Sequence, residues 1–110
     1  MNIDDFQKQA LKSIAISQKG PIALSHRTLG LNGAAGTLAN QLKKVIRDKE
    51  GVSDEEDLEV VKKRLGDVLY YTAALAEYFD LSLSDIATQN VARSDKFLKD
   101  RQNSKGKAAE

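Results

Sequence analysis

Arg64 and Asp67 stand three residues apart, and Asn90 and Arg93 repeat that spacing nearer the C-terminus. On a helix, residues i and i+3 project from one face. The first pair can therefore close on itself as an ion pair, while the second can reach a phosphate together or stand as an exposed helix end, where a cation complements the macrodipole. An i,i+3 ion pair contributes only ~0.2–0.5 kcal/mol on an exposed helix. Its fixed positive charge matters more, because it repels any second cation. Asp54, Glu55, Glu56 and Asp57 add a run of carboxylates, placed where acids favour a helix start and read as a solvated one. Other chemistries are excluded by composition. Cys is absent, which removes disulfides, thiolate zinc sites and cysteine nucleophiles. The single His, His26, leaves no histidine metal cluster and no Ser-His-Asp triad, and is read as a surface or satisfied side chain.

These residues sit in a chain of 110, enough for one domain. Lys and Arg number 17 against 16 for Asp and Glu, a formal charge of +1. That near-balance argues against a dedicated polyanion binder. Residues 86–97 faintly resemble a helix-turn-helix, and Arg93, Lys96, Lys99, Arg101, Lys105 and Lys107 outnumber Asp95 and Asp100. The turn glycine is missing and Val91 continues the helix, so nucleic acid is not the expected partner. The longest near-apolar run, Val68 to Ala76, is under half a membrane span, and no signal segment follows Met1. The expectation is a cytoplasmic protein with no membrane partner.

Periodicity places the residues on four helices. Ile3, Phe6, Ala10, Leu11 and Ile14 repeat at three- and four-residue steps, giving a first amphipathic helix that stops near Gly20. Pro21 suits the first turn of a second helix, along which Leu24, Leu31, Leu38 and Val45 recur every seven residues until Gly51 ends it. Ser53 and Glu56 have capping-box spacing for a third helix, with a core stripe of Leu58, Val61, Leu65, Val68, Thr72, Leu75 and Phe79. Beyond Tyr70 this helix is apolar on two faces, and four short helices can hardly cover both, so self-association is expected. Ser82 or Ser84 caps a fourth helix carrying Ile86, Val91 and Phe97. The domain then spans residues 1–100, and 101–110 form a flexible polar tail.

The short connection at Gly51 makes helices two and three antiparallel, so residues equidistant from it face each other. Gly30, Gly33 and Gly36 lie inside helix two, each costing about 1 kcal/mol relative to Ala. Either close helix packing or a ligand's approach to the backbone offsets that cost.

Residues 29–44 (LGLNGAAGTLANQLKK), 64–76 (RLGDVLYYTAALA) and 81–93 (LSLSDIATQNVAR) together resemble the MazG-like all-α nucleoside triphosphate pyrophosphohydrolases. The similarity spans roughly residues 24–97 in the same helix order. It implies an all-α, four-helix fold whose hairpin core is completed by oligomerisation, as a homodimer or a tetramer. The family cleaves a nucleoside triphosphate to the monophosphate and pyrophosphate using Mg²⁺, held by an E-x-x-E on one helix and an E-x-x-D on the next. Two such pairs opposed across a hairpin make an oxygen cage for a hard cation.

Here those ligand positions are occupied by Ala34, Thr37, Arg64 and Asp67, and both cross-pairs are equidistant from the turn at Glu50 and Gly51. Asp67 alone keeps a carboxylate, as a vestige of the catalytic centre, and one carboxylate leaves Mg²⁺ nearly fully hydrated. No cofactor is therefore expected, and the chain is expected to be inactive or impaired, whether as a natural pseudoenzyme or an engineered variant. The resemblance further implies nucleotide contacts at Asn90 and at Arg93, where a Lys is usual, with Lys96 and Phe97 at the places of a basic and an aromatic residue. Lys44, on the Thr37 face, can meet phosphate or remain solvated. Tyr70, where the family often has Trp, serves as a base-stacking platform or as ordinary core. The competing class is a helical interaction module with no nucleotide chemistry.

Overall fold

In a computed structural model describing residues 1–14 and 19–109, the chain forms four helices and, among those residues, no strand. They are α1 (Ile3–Lys12), α2 (Pro21–Lys49), α3 (Glu55–Tyr78) and α4 (Leu83–Ala109). Asn2 caps α1 by accepting from the Asp5 N–H at 2.8 Å. This helix ends at Lys12, well before Gly20, because the N–H groups of Ser13 and Ile14 bond three residues back and tighten the last turn. Residues 15–18 lie outside the described part.

α2 starts at Pro21 as its fixed φ predicts. It ends with Glu50 in the left-handed region (φ 55°), followed by Gly51 at φ 82°. α3 is capped by Asp54 rather than Ser53. Asp54 Oδ1 accepts from the Asp57 N–H at 2.8 Å, and Asp57 Oδ2 accepts from the Asp54 N–H at 3.1 Å. This reciprocal box buries Asp57, so the acidic run is only partly the solvated helix start expected of it. Of the two serines offered for α4, Ser82 is the cap, accepting from the Asp85 N–H at 3.1 Å.

α4 continues past Arg101 to Ala109. Gln102, Lys105, Lys107, Ala108 and Ala109 are good helix formers, and no Pro stops the helix as it passes the weaker formers Asn103, Ser104 and Gly106. Residues 101–105 are exposed, and Glu110 lies outside the described residues.

α2 and α3 pair as an antiparallel hairpin, α1 lies against α3, and α4 leans on α1. The register is the one the turn dictates. Arg27 Nη1 donates to the Ala74 carbonyl at 2.7 Å, and the Tyr71 ring meets the backbone at Gly30; both pairs are equidistant from Glu50 and Gly51. The core is assembled from small side chains: Ala10, Ala73, Ala76 and Leu83, with Phe6 and Tyr70 packed on them. Much of the expected stripe is instead open, with Leu58, Leu65 and Phe79 all more than half exposed. Val61, Val68, Thr72 and Leu75 are half-buried, and full burial on α3 is confined to Asp57, Ala73, Ala74 and Ala76. Gln7 is buried and ties the α3–α4 turn to α1. Its Nε2 donates to the Leu81 carbonyl and its Oε1 accepts from the Leu83 N–H, both at 3.0 Å.

Candidate functional site

The i,i+3 pairs of α2 and α3 converge on one open cleft of about 390 Å³. It is lined by Ala34, Thr37, Arg64, Asp67, Tyr70 and Tyr71. Arg64 Nη1 lies 3.5 Å from Asp67 Oδ2, an attraction between charges rather than a well-formed hydrogen bond. The Thr37 hydroxyl donates to the Gly33 carbonyl of its own helix at 2.9 Å, which leaves its lone pairs for the cleft. Ala34 contributes only a methyl group. On the far wall Tyr70 and Tyr71 meet edge to face, with centroids 5.1 Å apart. Tyr70 also packs on the alanine core and its hydroxyl accepts from Ser13 at 3.4 Å, so one ring serves both core and cleft.

The turn that sets this register is clamped by charge. Lys49 Nζ donates to Asp54 Oδ2 at 2.9 Å and to Asp57 Oδ2 at 2.7 Å. The Lys49 contact, with the Asp57 N–H behind it, holds the Asp54 carboxyl down at about 2, and the Asp54 and Asp57 carboxylates raise the Lys49 ammonium.

The donor set does not fit Mg²⁺. A hard cation of this size takes six oxygens in near-octahedral order. The cleft offers one carboxylate, already facing a guanidinium. Among the described residues no group of three His, Cys, Asp or Glu side chains is placed to hold a metal.

The other site residues are dispersed. Asn90 and Arg93 line a groove of about 510 Å³ on α4 with Ser94, Phe97 and Leu98, apart from the Arg64 cleft. Lys96 and Lys44 are exposed and line neither hollow. His26 is exposed at a smaller hollow of about 230 Å³ beside Arg27. Two residues were not foreseen. Tyr71 forms a wall of the cleft, and the hairpin register that pairs it with Gly30 would have found it. Arg27 is buried, donating to Glu77 Oε2 at 2.6 Å and lying 5.8 Å over the Tyr78 ring; nothing in local periodicity marks it.

Over 68 residues the chain is 44% identical to the Gene 37 protein of Mycobacterium phage L5. The match covers 62% of this chain and 60% of that relative's length. No family model matches the chain, and no solved structure does.

Proposed function

We propose that the chain is a MazG-like nucleoside triphosphate pyrophosphohydrolase scaffold in which the metal site has degenerated, leaving a protein that no longer hydrolyses its nucleotide. One observation carries this reading: Ala34, Thr37, Arg64 and Asp67, the positions of the family's metal ligands, line a single cleft between α2 and α3. Ala34 and Arg64 offer no lone pair to a hard cation, Thr37 offers only a neutral hydroxyl, and Asp67 already faces the Arg64 guanidinium. Without a metal, phosphoryl hydrolysis loses its Lewis acid and its activated water. The test is to restore the acids. Ala34→Glu, Thr37→Glu and Arg64→Glu together are expected to give Mg²⁺-dependent release of pyrophosphate and nucleoside monophosphate. A triple variant with unchanged helicity that releases none from any common triphosphate overturns the reading.

The same proposal makes the protein a cytoplasmic homo-oligomer, dimer or tetramer. The protomer exposes 8350 Å², against about 6,000 Å² for a compact monomer of its mass. Its radius of gyration of 18.3 Å exceeds the ~13 Å expected for this length. Among the described residues no helix is long and apolar enough to cross a membrane. The open apolar side chains also favour a second reading, an interaction module without nucleotide chemistry. Calorimetric titration with nucleotide separates the two, since the module binds none.

A further inference from the structure

We infer that the cleft between α2 and α3 binds the polyphosphate of a nucleotide without a metal, with the Arg64 guanidinium standing where the divalent cation would be. The nucleotide as ligand class rests on the reading above; the charge logic rests on the cleft alone. A cage of carboxylates attracts phosphate only through a bridging cation. Here the carboxylate cage is absent, and the positive charge is supplied by the protein, on a side chain of α3 that is about one-third exposed.

Arg64 is suited to the task. Its planar fork matches two phosphate oxygens at once, which a hydrated ammonium cannot do. At 3.5 Å, Asp67 holds the guanidinium by charge and leaves its N–H donors for a ligand. Asp67 is therefore a positioning residue, keeping Arg64 against the cleft. The walls supply the remainder. Tyr70 and Tyr71 present a ring edge against a ring face, an apolar surface for a base or ribose. Tyr71 reaches this place because Gly30 carries no Cβ. The volume of about 390 Å³ falls within the range of small-molecule sites.

The consequence is an inverted metal dependence. Mg²⁺ bound to a triphosphate neutralises the charge that Arg64 would pair with, and brings a cation toward a fixed cation. Magnesium should weaken binding here, where a carboxylate cage would require it.

The experiment uses the full-length protein and α,β-methylene ATP, read by calorimetry and by tyrosine fluorescence. Binding is expected in EDTA, displaced by inorganic tripolyphosphate and weakened several-fold by excess Mg²⁺. Arg64→Ala is expected to lose about tenfold or more in affinity, the scale of a charged hydrogen-bond pair, and Arg64→Lys to recover part of it. Binding that needs Mg²⁺, no binding in EDTA, or an Arg64→Ala variant that is folded and binds as the parent does would each overturn the inference. The acid-restored variant separates the two proposals. If it releases pyrophosphate while the parent binds no nucleotide in EDTA, the hydrolase ancestry stands and the Arg64 site falls. If the parent binds through Arg64 and the restored variant is inert, the reverse holds.

Discussion

The ring of Tyr71 occupies the space that a Cβ on residue 30 would need: its Cζ lies 2.7 Å from that position, closer than real Cβ contacts come. Gly30 is therefore a packing residue, and its helix-weakening effect is offset by the approach of α3. Gly33 and Gly36 differ, since a Cβ on either would meet nothing within 4 Å. Gly30→Ala is expected to destabilise the protein by ~1–3 kcal/mol through overpacking. Gly33→Ala is expected to stabilise it by up to about 1 kcal/mol through helix propensity. Urea denaturation of the two variants should move the midpoint in opposite directions, and a shared direction would contradict the Gly30–Tyr71 contact.

Gln7 fastens the start of α4 by a donor and an acceptor on one amide. Gln7→Ala leaves the Leu81 carbonyl and the Leu83 N–H without this partner, and Leu83 is buried. An unsatisfied buried polar group costs ~1–3 kcal/mol, so a loss of that size in urea is expected. Amide exchange should accelerate first at Leu83. Unchanged protection there would show that the bridge does not hold the turn.

Acid should loosen the α2–α3 turn in a narrow window. The Asp54 carboxyl titrates at about 2 against an ordinary 3.8, chiefly because Lys49 donates to it and then because the Asp57 N–H does. A depressed folded value means a stabilisation fully present above about 4 that disappears as pH falls toward 2. Asp54→Asn keeps the cap acceptor and loses the charge. Wild type is expected to resist urea better than Asp54→Asn at pH 6 and to lose that advantage by pH 2. A difference that is constant with pH would mean that the charge of Asp54 contributes nothing.

Local periodicity and one short turn were enough to place four helices, the Pro21 start and the pairing of α2 with α3, because each depends on residues close in sequence. The cap of α3 was harder: Ser53 and Asp54 both have an acid three residues on, and the choice falls to Asp54, whose box with Asp57 is clamped by Lys49 across the turn. Counting large apolar residues misplaced the core, since α1 approaches α3 over Ala73 and Ala76, where small side chains let two helices come close. Gln7 and Arg27 are buried by partners 47 or more residues away, which no repeat encodes. For the site, the family resemblance singled out Ala34, Thr37, Arg64 and Asp67, and the turn register agreed by setting them opposite one another. The separation of Asn90 and Arg93 from the cleft depends on the direction of α4, set by the left-handed Asp80 and by the Gln7 bridge, and neither is visible in a helical pattern.

The open side of α3 gives the last prediction. Leu58, Leu65 and Leu69 lie at near-heptad spacing on one face and are 56%, 52% and 41% exposed. Among the described residues the buried apolar side chains are alanines, Val45 and Leu83, so covering that stripe in the proposed assembly would add much to the protomer's stability. Full-length protein is expected to run as a dimer or tetramer by light scattering, with a melting temperature that rises with concentration. Leu65→Lys combined with Leu69→Lys should yield monomer and abolish that concentration dependence, because each ammonium would otherwise be buried without a partner. Gly33→Ala, on α2, provides a control that leaves the stripe intact. A wild type that is monomeric at tens of micromolar, with a melting temperature independent of concentration, would mean that the leucines of α3 stay in water and that the alanine core is sufficient by itself.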